Sequence, residues 1–309
     1  MKAKIGVVQA RGFWGPDARK HTENALKHIE EGAEQGVNVL LFPEGYPGPF
    51  PDPTDDKGNI DDSFYDSSMK ALCAKAKEQN LYVIAGGLAH DNKLDGYYTA
   101  VNLIGPSGEI VGTYRRIISA GSKCYEVMFH LGDKSKKLLW GDELPVFRTE
   151  YGNIGITVCS EIYSPELSRV LALKGADIIF SPSGGPFWTY TPTWKTLVWA
   201  RAIENLVYVA TGGHIWGVEE GIAMICSPEE IVADTTKMGI ITADVDFDRL
   251  EWLRNNDTPA EHYPVATMCG QSSGLGFFDY QGQPVSRRPE LYKPICMGEE
   301  ELKDVSVRR

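Results

Sequence analysis

Residues 37–45 read Val-Asn-Val-Leu-Leu-Phe-Pro-Glu-Gly, an apolar run that stops abruptly at a proline, a glutamate and a glycine. A short run of this kind is typical of a strand that is buried on both faces of its sheet. The segment before it, from Asp17 to Gln35, repeats small and aliphatic residues at helical spacing, and Gly36 ends it. A helix that leads into a fully buried strand favours an α/β fold.

The same alternation continues along the chain. Strands that alternate with helices predict a layered α/β architecture, and hairpins around 105–108 and 227–228 make its sheets mixed rather than purely parallel. Helices are predicted at 63–79, 165–174, 194–205 and 247–254, and strands at 3–9, 81–86, 97–104, 109–114, 153–158, 177–180, 206–210, 221–225, 230–234 and 239–246.

Composition excludes several classes of protein. The chain has 309 residues, of which 42% are hydrophobic, enough for one sizeable core. A net charge of −11 argues against a nucleic acid or an anionic membrane as partner. The sequence contains neither an apolar run long enough to span a bilayer nor a signal-peptide pattern. Six scattered cysteines without CxxC spacing are typical of reduced thiols. These features predict a cytoplasmic protein.

Two residues at predicted strand ends are candidates for chemistry. Cys159 follows the strand 153–158 and precedes a helix, and such a turn is where α/β folds expose a nucleophile beside backbone N–H groups. Glu44 follows the predicted strand 37–42, and partial desolvation there would raise its pKa toward the range that suits a carboxylate that takes a thiol proton. A buried structural cysteine and a turn glutamate are the alternative interpretations.

Histidines, metals and cofactors have weaker support. His21 and His28 are expected on a surface helix, and His214 does not lie at a clear strand end with an orienting carboxylate. A Cys–His arrangement is therefore disfavoured. Metal-ligand spacings such as HxxxH are absent, and the glycine clusters match no nucleotide-binding motif, so the sequence predicts neither a metal nor a cofactor.

Five segments, in this order, resemble the nitrilase superfamily of carbon–nitrogen hydrolases over about residues 4–292. They are 38–45 (Asn-Val-Leu-Leu-Phe-Pro-Glu-Gly), 99–116 (Thr-Ala-Val-Asn-Leu-Ile-Gly-Pro-Ser-Gly-Glu-Ile-Val-Gly-Thr-Tyr-Arg-Arg), 155–166 (Gly-Ile-Thr-Val-Cys-Ser-Glu-Ile-Tyr-Ser-Pro-Glu), 201–205 (Arg-Ala-Ile-Glu-Asn) and 287–292 (Arg-Arg-Pro-Glu-Leu-Tyr).

The resemblance implies a fold and a set of roles. It implies an α-β-β-α sandwich that dimerises through its helices, and a Glu–Lys–Cys triad with a second glutamate. By position, Glu44 is the base, Cys159 the nucleophile and Glu126 the second glutamate. The residues Phe187 and Trp188, after a strand end on the same side of the sheet, are expected to line a substrate pocket, although ordinary core aromatics are the alternative.

The chain departs from the family pattern at two positions. Arg116 stands where the family has lysine, and a planar guanidinium is not interchangeable with a compact ammonium group. Three readings follow: a working arginine variant, a rearranged site that uses Lys123, or an inactive relative. Ser160 replaces the bulky aromatic residue that usually follows the nucleophile, although its backbone N–H can still stabilise an oxyanion. Ser160 is also expected to bind substrate, because its small side chain leaves room for the substrate or offers it a polar contact.

The sequence thus predicts hydrolysis of an amide or N-carbamoyl amine through a cysteine thioester. A nitrilase that converts a nitrile to acid and ammonia is one alternative, and a non-catalytic binding protein on the same fold is another. The chain is expected to form a homodimer or a higher homo-oligomer. Residues 1–280 are predicted to form one hydrolase domain, and residues 281–309 a tail that packs on the core or on a neighbouring subunit.

Overall fold

Two β-sheets pack face to face between two pairs of helices, which gives the layer order helix, sheet, sheet, helix. This arrangement confirms the predicted α/β sandwich with mixed sheets. The computed structural model describes residues 1–13, 15–48, 62–118, 137–184, 191–215, 221–255 and 291–297.

The first sheet has the strand order β11-β1-β2-β3-β4-β5. Strands β1, β2 and β3 are parallel, β4 and β5 continue as an antiparallel meander, β14 pairs antiparallel with β1, and β6 pairs with β4. The strands are β1 (Lys2–Arg11), β2 (Val39–Leu41), β3 (Tyr82–Asp91), β4 (Gly96–Ile104), β5 (Ile110–Arg115), β6 (Lys137–Leu139), β11 (His214–Ile215) and β14 (Gly239–Asp246).

The second sheet has the order β13-β12-β10-β9-β8-β7. Its central strands β8, β9 and β10 are parallel, and its outer strands are antiparallel to their neighbours. The strands are β7 (Val146–Thr149), β8 (Gly152–Ile156), β9 (Ile178–Pro182), β10 (Tyr208–Gly212), β12 (Ala223–Cys226) and β13 (Ile231–Thr235). The chain passes from β10 into β11 at Gly213 and so ties the two sheets together.

Alternate residues of the strands point to opposite faces and therefore form separate cores. The inner core lies between the sheets and includes Ile84, Val101, Ile156 and Phe180. Outer cores lie under the helices on each side. The helices are α1 (Lys20–Glu34), α2 (Asp62–Gln79), α3 (Pro165–Leu173), α4 (Thr191–Asn205) and α5 (Phe247–Asn255), and short 3-10 helices span Gly15–Arg19, Cys159–Tyr163 and Lys293–Cys296.

The predicted helices and strands are found to within a few residues. Strands β6, β7 and β11, which are two to four residues long, were not predicted. The expectation for His21 was wrong, because its side chain is fully buried against Tyr46. Among the described residues, no helix has the length and apolar character needed to cross a membrane. The domain boundary at residue 280 lies outside the described residues and stays a prediction.

Four strands deliver residues to one edge of the sandwich. Strands β2 and β5 of the first sheet and β8 and β9 of the second end at this edge. The segment after β2 crosses the gap between the sheets, where Glu44 N donates to Ser183 O at 3.1 Å. The carboxyl ends of these four strands therefore lie at the same edge of the sandwich.

The segment after β2 is held closely against β3. Gly86 N donates to Tyr46 O at 2.9 Å, and a Cβ atom on Gly87 would lie 2.2 Å from Gly48 O. That distance is far below van der Waals contact, and the atom opposed is backbone. Only glycine at position 87 therefore allows residues 44–48 to lie in this place.

We expect Gly87→Ala to lower the free energy of unfolding by about 1–3 kcal/mol, because the strand and the segment 44–48 must move apart. Thermal unfolding of the variant and the parent measures the loss. Gly105→Ala is the control, because its Cβ would meet the exposed side chain of Glu109, which can move aside. Equal stability of the Gly87 variant and the parent would contradict the close approach.

Candidate active site

Cys159 lies at the turn between β8 and the 3-10 helix Cys159–Tyr163. Its φ angle is +50°, in the left-handed region that non-glycine residues seldom occupy. Backbone strain of this kind is found at functional sites, where surrounding contacts hold it. The side chain packs against the inner core and keeps partial exposure. The turn therefore presents the thiol at the edge where the strands end.

Arg116, immediately after β5, makes a buried ion pair with Glu44. Their side chains are 1% and 3% exposed, and Arg116 Nη1 donates to Glu44 Oε1 at 2.6 Å. Arg116 Nη2 donates to Ser160 Oγ at 2.6 Å, and Nε donates to Ile118 O at 2.7 Å. Removing one partner of such a buried pair would leave an uncompensated charge, which is strongly unfavourable. Arg116 thus joins the glutamate to the residue that follows Cys159.

Glu161 is a fully buried carboxylate that the sequence analysis did not assign to the site. Its Oε2 accepts hydrogen bonds from Tyr114 Oη and Val158 N, both at 2.7 Å. Its Oε1 accepts from Ile117 N at 2.8 Å and from Ile118 N at 3.0 Å. Glu161 therefore fastens the segment that carries Arg116 to the turn that carries Cys159.

Opposing effects act on the pKa values of Glu161 and Cys159. Burial raises the pKa of Glu161, while the positive charge of Arg116 and the donated hydrogen bonds lower it. Burial and the negative charge of Glu44 raise the pKa of the Cys159 thiol to about 11. Arg116 lowers that thiol pKa, so its position affects how readily the thiolate forms.

Two donors from the end of β9 reach the sulfur. Ser183 Oγ lies 3.6 Å from Cys159 Sγ, and the Gly184 backbone N–H is also hydrogen-bonded to it. Both interactions lower the thiol pKa, because they favour the negatively charged sulfur. Ser183 also accepts the backbone hydrogen bond from Glu44, so one residue contacts both the predicted nucleophile and the predicted base.

A group of aromatic rings supports the segment that carries Glu44. His214 Nε2 donates to Glu44 O at 2.7 Å, and the rings of His21 and Tyr46 lie within 5.6 Å of the His214 ring. Burial lowers the pKa of His214 to about 4 and that of His21 to about 3, so both are neutral near pH 7. His214 therefore positions the backbone of the glutamate, and His21 packs against the His214 ring.

The described part of the chain contains no cluster of metal-binding side chains. No group of three or more His, Cys, Asp or Glu side chains there is arranged to hold a metal ion. The site instead combines one guanidinium, two buried carboxylates and a thiol. Such a set can perform nucleophilic catalysis with proton transfer by a carboxylate.

The structure brings together four of the predicted site residues, Glu44, Arg116, Cys159 and Ser160. The other predicted residues, Glu126, Phe187 and Trp188, lie outside the described residues, as does Lys123, so their roles stay predictions. Glu161, Ser183 and the contact of His214 with Glu44 were not predicted from the sequence. Glu161 had one signal, its place as an acidic residue two positions after the predicted nucleophile.

A family model described as carbon–nitrogen hydrolase matches residues 4–255. The chain belongs to the carbon–nitrogen hydrolase family. The matched range includes every described residue of the site, and the nitrilase-superfamily resemblance of the sequence is thereby confirmed.

Curated relatives and solved structures agree with this placement. An omega-amidase of Xenopus tropicalis is 28% identical over 264 residues, which cover 82% of this chain and 92% of the relative. A deaminated glutathione amidase of Synechocystis sp. is 27% identical and covers 80% of this chain and 93% of its own length. A carbon–nitrogen hydrolase from Helicobacter pylori has the same fold, with a TM-score of 0.73, 20% identity, and coverage of 96% and 99%.

We expect Glu161→Gln to destabilise this protein by about 1–3 kcal/mol, because the amide NH₂ cannot accept the hydrogen bonds of two buried donors. Chemical denaturation of the variant and the parent measures the change. Glu166→Gln is the control, since Glu166 is exposed at the start of α3. An unchanged or higher stability of Glu161→Gln would mean that the cost of burying the charge exceeds the value of its hydrogen bonds.

Proposed function

We propose that this protein hydrolyses the carbon–nitrogen bond of a small-molecule amide through a thioester on Cys159. The observation that carries the proposal is the buried contact between Arg116 and Glu44 beside a strained, partly exposed cysteine. Family membership supports the bond class, and the two curated relatives are named as amidases. An N-carbamoyl amine is a substrate of the same class and belongs to the proposal.

Acylation begins with removal of the thiol proton. Glu44 accepts this proton on Oε2, while Arg116 remains on Oε1. The cysteine sulfur attacks the amide carbonyl and forms a tetrahedral intermediate with a negatively charged oxygen. Because burial raises the thiol pKa to about 11, little thiolate exists near pH 7 without the base, and proton transfer accompanies the attack.

Charge stabilisation is assigned to two groups. We assign the backbone N–H of Ser160 and the guanidinium of Arg116 to the oxyanion, because both lie next to the nucleophile's turn. Preformed donors at a developing charge are a large term in acyl-transfer catalysis. The guanidinium is held by three protein acceptors before substrate arrives, so it needs little reorganisation.

The remaining steps return the site to its resting state. Glu44 gives the proton to the departing nitrogen, and ammonia or an amine leaves. Glu44 then takes a proton from water, whose oxygen attacks the thioester carbonyl. The carbon–sulfur bond breaks, Glu44 returns the proton to the Cys159 sulfur, and the acid leaves. We assign Glu126 to the positioning of this water and Phe187 and Trp188 to the walls of the substrate pocket, both from their place in the sequence.

We expect wild-type protein to release ammonia from members of a panel of amides, and Cys159→Ala to release none, because no other group supplies the nucleophile. Ammonia assay with a panel of ω-amides, N-carbamoyl amines and nitriles measures this. Cys73→Ala is the matched control, since Cys73 is a partly buried cysteine on α2. It should retain the parent's activity.

The panel also separates the competing functions. Conversion of nitriles without amide hydrolysis would replace the proposal by a nitrilase. Folded wild-type protein that releases no ammonia from any compound would favour a non-catalytic binding protein. A homodimer and a cytoplasmic location stay predictions from the sequence.

A further inference from the structure

Ser160 and Arg116 are the two positions at which the sequence departs from its family pattern, and they contact each other. Arg116 Nη2 donates to Ser160 Oγ at 2.6 Å, within the range of a strong hydrogen bond. The family has a lysine at the first position and usually an aromatic residue at the second. Because these two departures from the family pattern contact each other, one physical cause can account for both.

Among the described residues, three acceptors hold the guanidinium, one at each of its nitrogens. Nη1 donates a hydrogen bond to Glu44 Oε1, Nη2 donates to Ser160 Oγ, and Nε donates to Ile118 O. A planar fork held at three points can neither rotate nor translate without losing a hydrogen bond, and the Arg116 side chain is 1% exposed. The Ser160 oxygen is the acceptor closest in sequence to the nucleophile.

A lysine could not make the same set of contacts. Its ammonium concentrates three donors on one atom, whereas the three acceptors here are bonded by three separate nitrogens of the fork. An aromatic side chain at position 160, in turn, offers no comparable acceptor for Nη2 and is much larger than serine. Arginine at 116 therefore calls for a small oxygen-bearing side chain at 160.

We propose that Ser160 is the positioning residue for Arg116, so that the two act as one unit that replaces the family's single lysine. Ser160 holds one arm of the guanidinium beside the nucleophile while the other arm stays on Glu44. This inference rests on the proposed function for its catalytic consequence. Its structural content, a guanidinium held near Cys159, can be measured on the thiol itself.

The thiol reports where the guanidinium lies. Arg116 lowers the pKa of Cys159, so a guanidinium that moves away leaves that pKa higher and reduces the thiolate fraction at any pH below it. Thiolate is the species that reacts with an alkylating agent. The alkylation rate of Cys159 therefore falls when Arg116 loses its position, whether or not a substrate is known.

The test is a double-mutant cycle of Ser160→Ala and Arg116→Lys, read by iodoacetamide alkylation of the peptide that contains Cys159 between about pH 7 and pH 10. We expect Ser160→Ala to slow alkylation at least about threefold in the parent and to change it by less than about 1.5-fold in Arg116→Lys, where no fork remains to be held. Ser160→Thr keeps the oxygen and should stay close to the parent.

Ser164→Ala is the control, because Ser164 lies at the end of the same 3-10 helix and makes no side-chain cap of α3. Equal effects of Ser160→Ala in both backgrounds, or none in the parent, would overturn the proposal. If Arg116→Lys does not fold, the difference between Ser160→Ala and Ser160→Thr decides it.

Ammonia release by the same variants separates this inference from the proposed function. Coupled alkylation rates with no ammonia release from wild type would retain the positioning role and remove the amidase. Ammonia release with additive effects on alkylation would retain the amidase and remove the positioning role.

Discussion

The buried ion pair between Arg116 and Glu44 is the constraint on which the site depends. Both side chains are almost fully buried, so each charge is stable only while the other stays in contact. The pair spans the end of β5 and the segment after β2, which are separated by two strands in the first sheet. Satisfying it fixes both segments at once, and the hydrogen bond from Arg116 to Ser160 extends that constraint to the second sheet.

Further contacts hold the segments that carry Arg116, Glu44 and Cys159 in place. Glu161 accepts four hydrogen bonds from the two segments that flank the ion pair. Gly87 lets the segment 44–48 lie on β3, where Gly86 N donates to Tyr46 O. Ser183 then links the glutamate's backbone to the sulfur of Cys159. The strained φ angle of Cys159 is therefore held by contacts from both sheets. The site is a property of the sandwich and not of any one motif.

Much of this could be predicted from the sequence, for physical reasons. Apolar periodicity identified the helices and the buried strands, because burial decides both, and the residues after strand ends gave Glu44 and Cys159. Short edge strands such as β6 escaped prediction because two or three residues carry no period. His21 was misplaced because one histidine on an amphipathic helix does not show which face is buried. The Arg116–Ser160 contact joins positions 44 residues apart, which no local pattern contains.

The thioester on Cys159 is tested most directly by mass spectrometry of the enzyme quenched in acid during turnover of an amide from which it releases ammonia. We expect a mass increase equal to the acyl group, located on the peptide that contains Cys159, which disappears when the substrate is exhausted. Ammonia release with Cys159 unmodified at every quench time, and undiminished in Cys159→Ala, would contradict it.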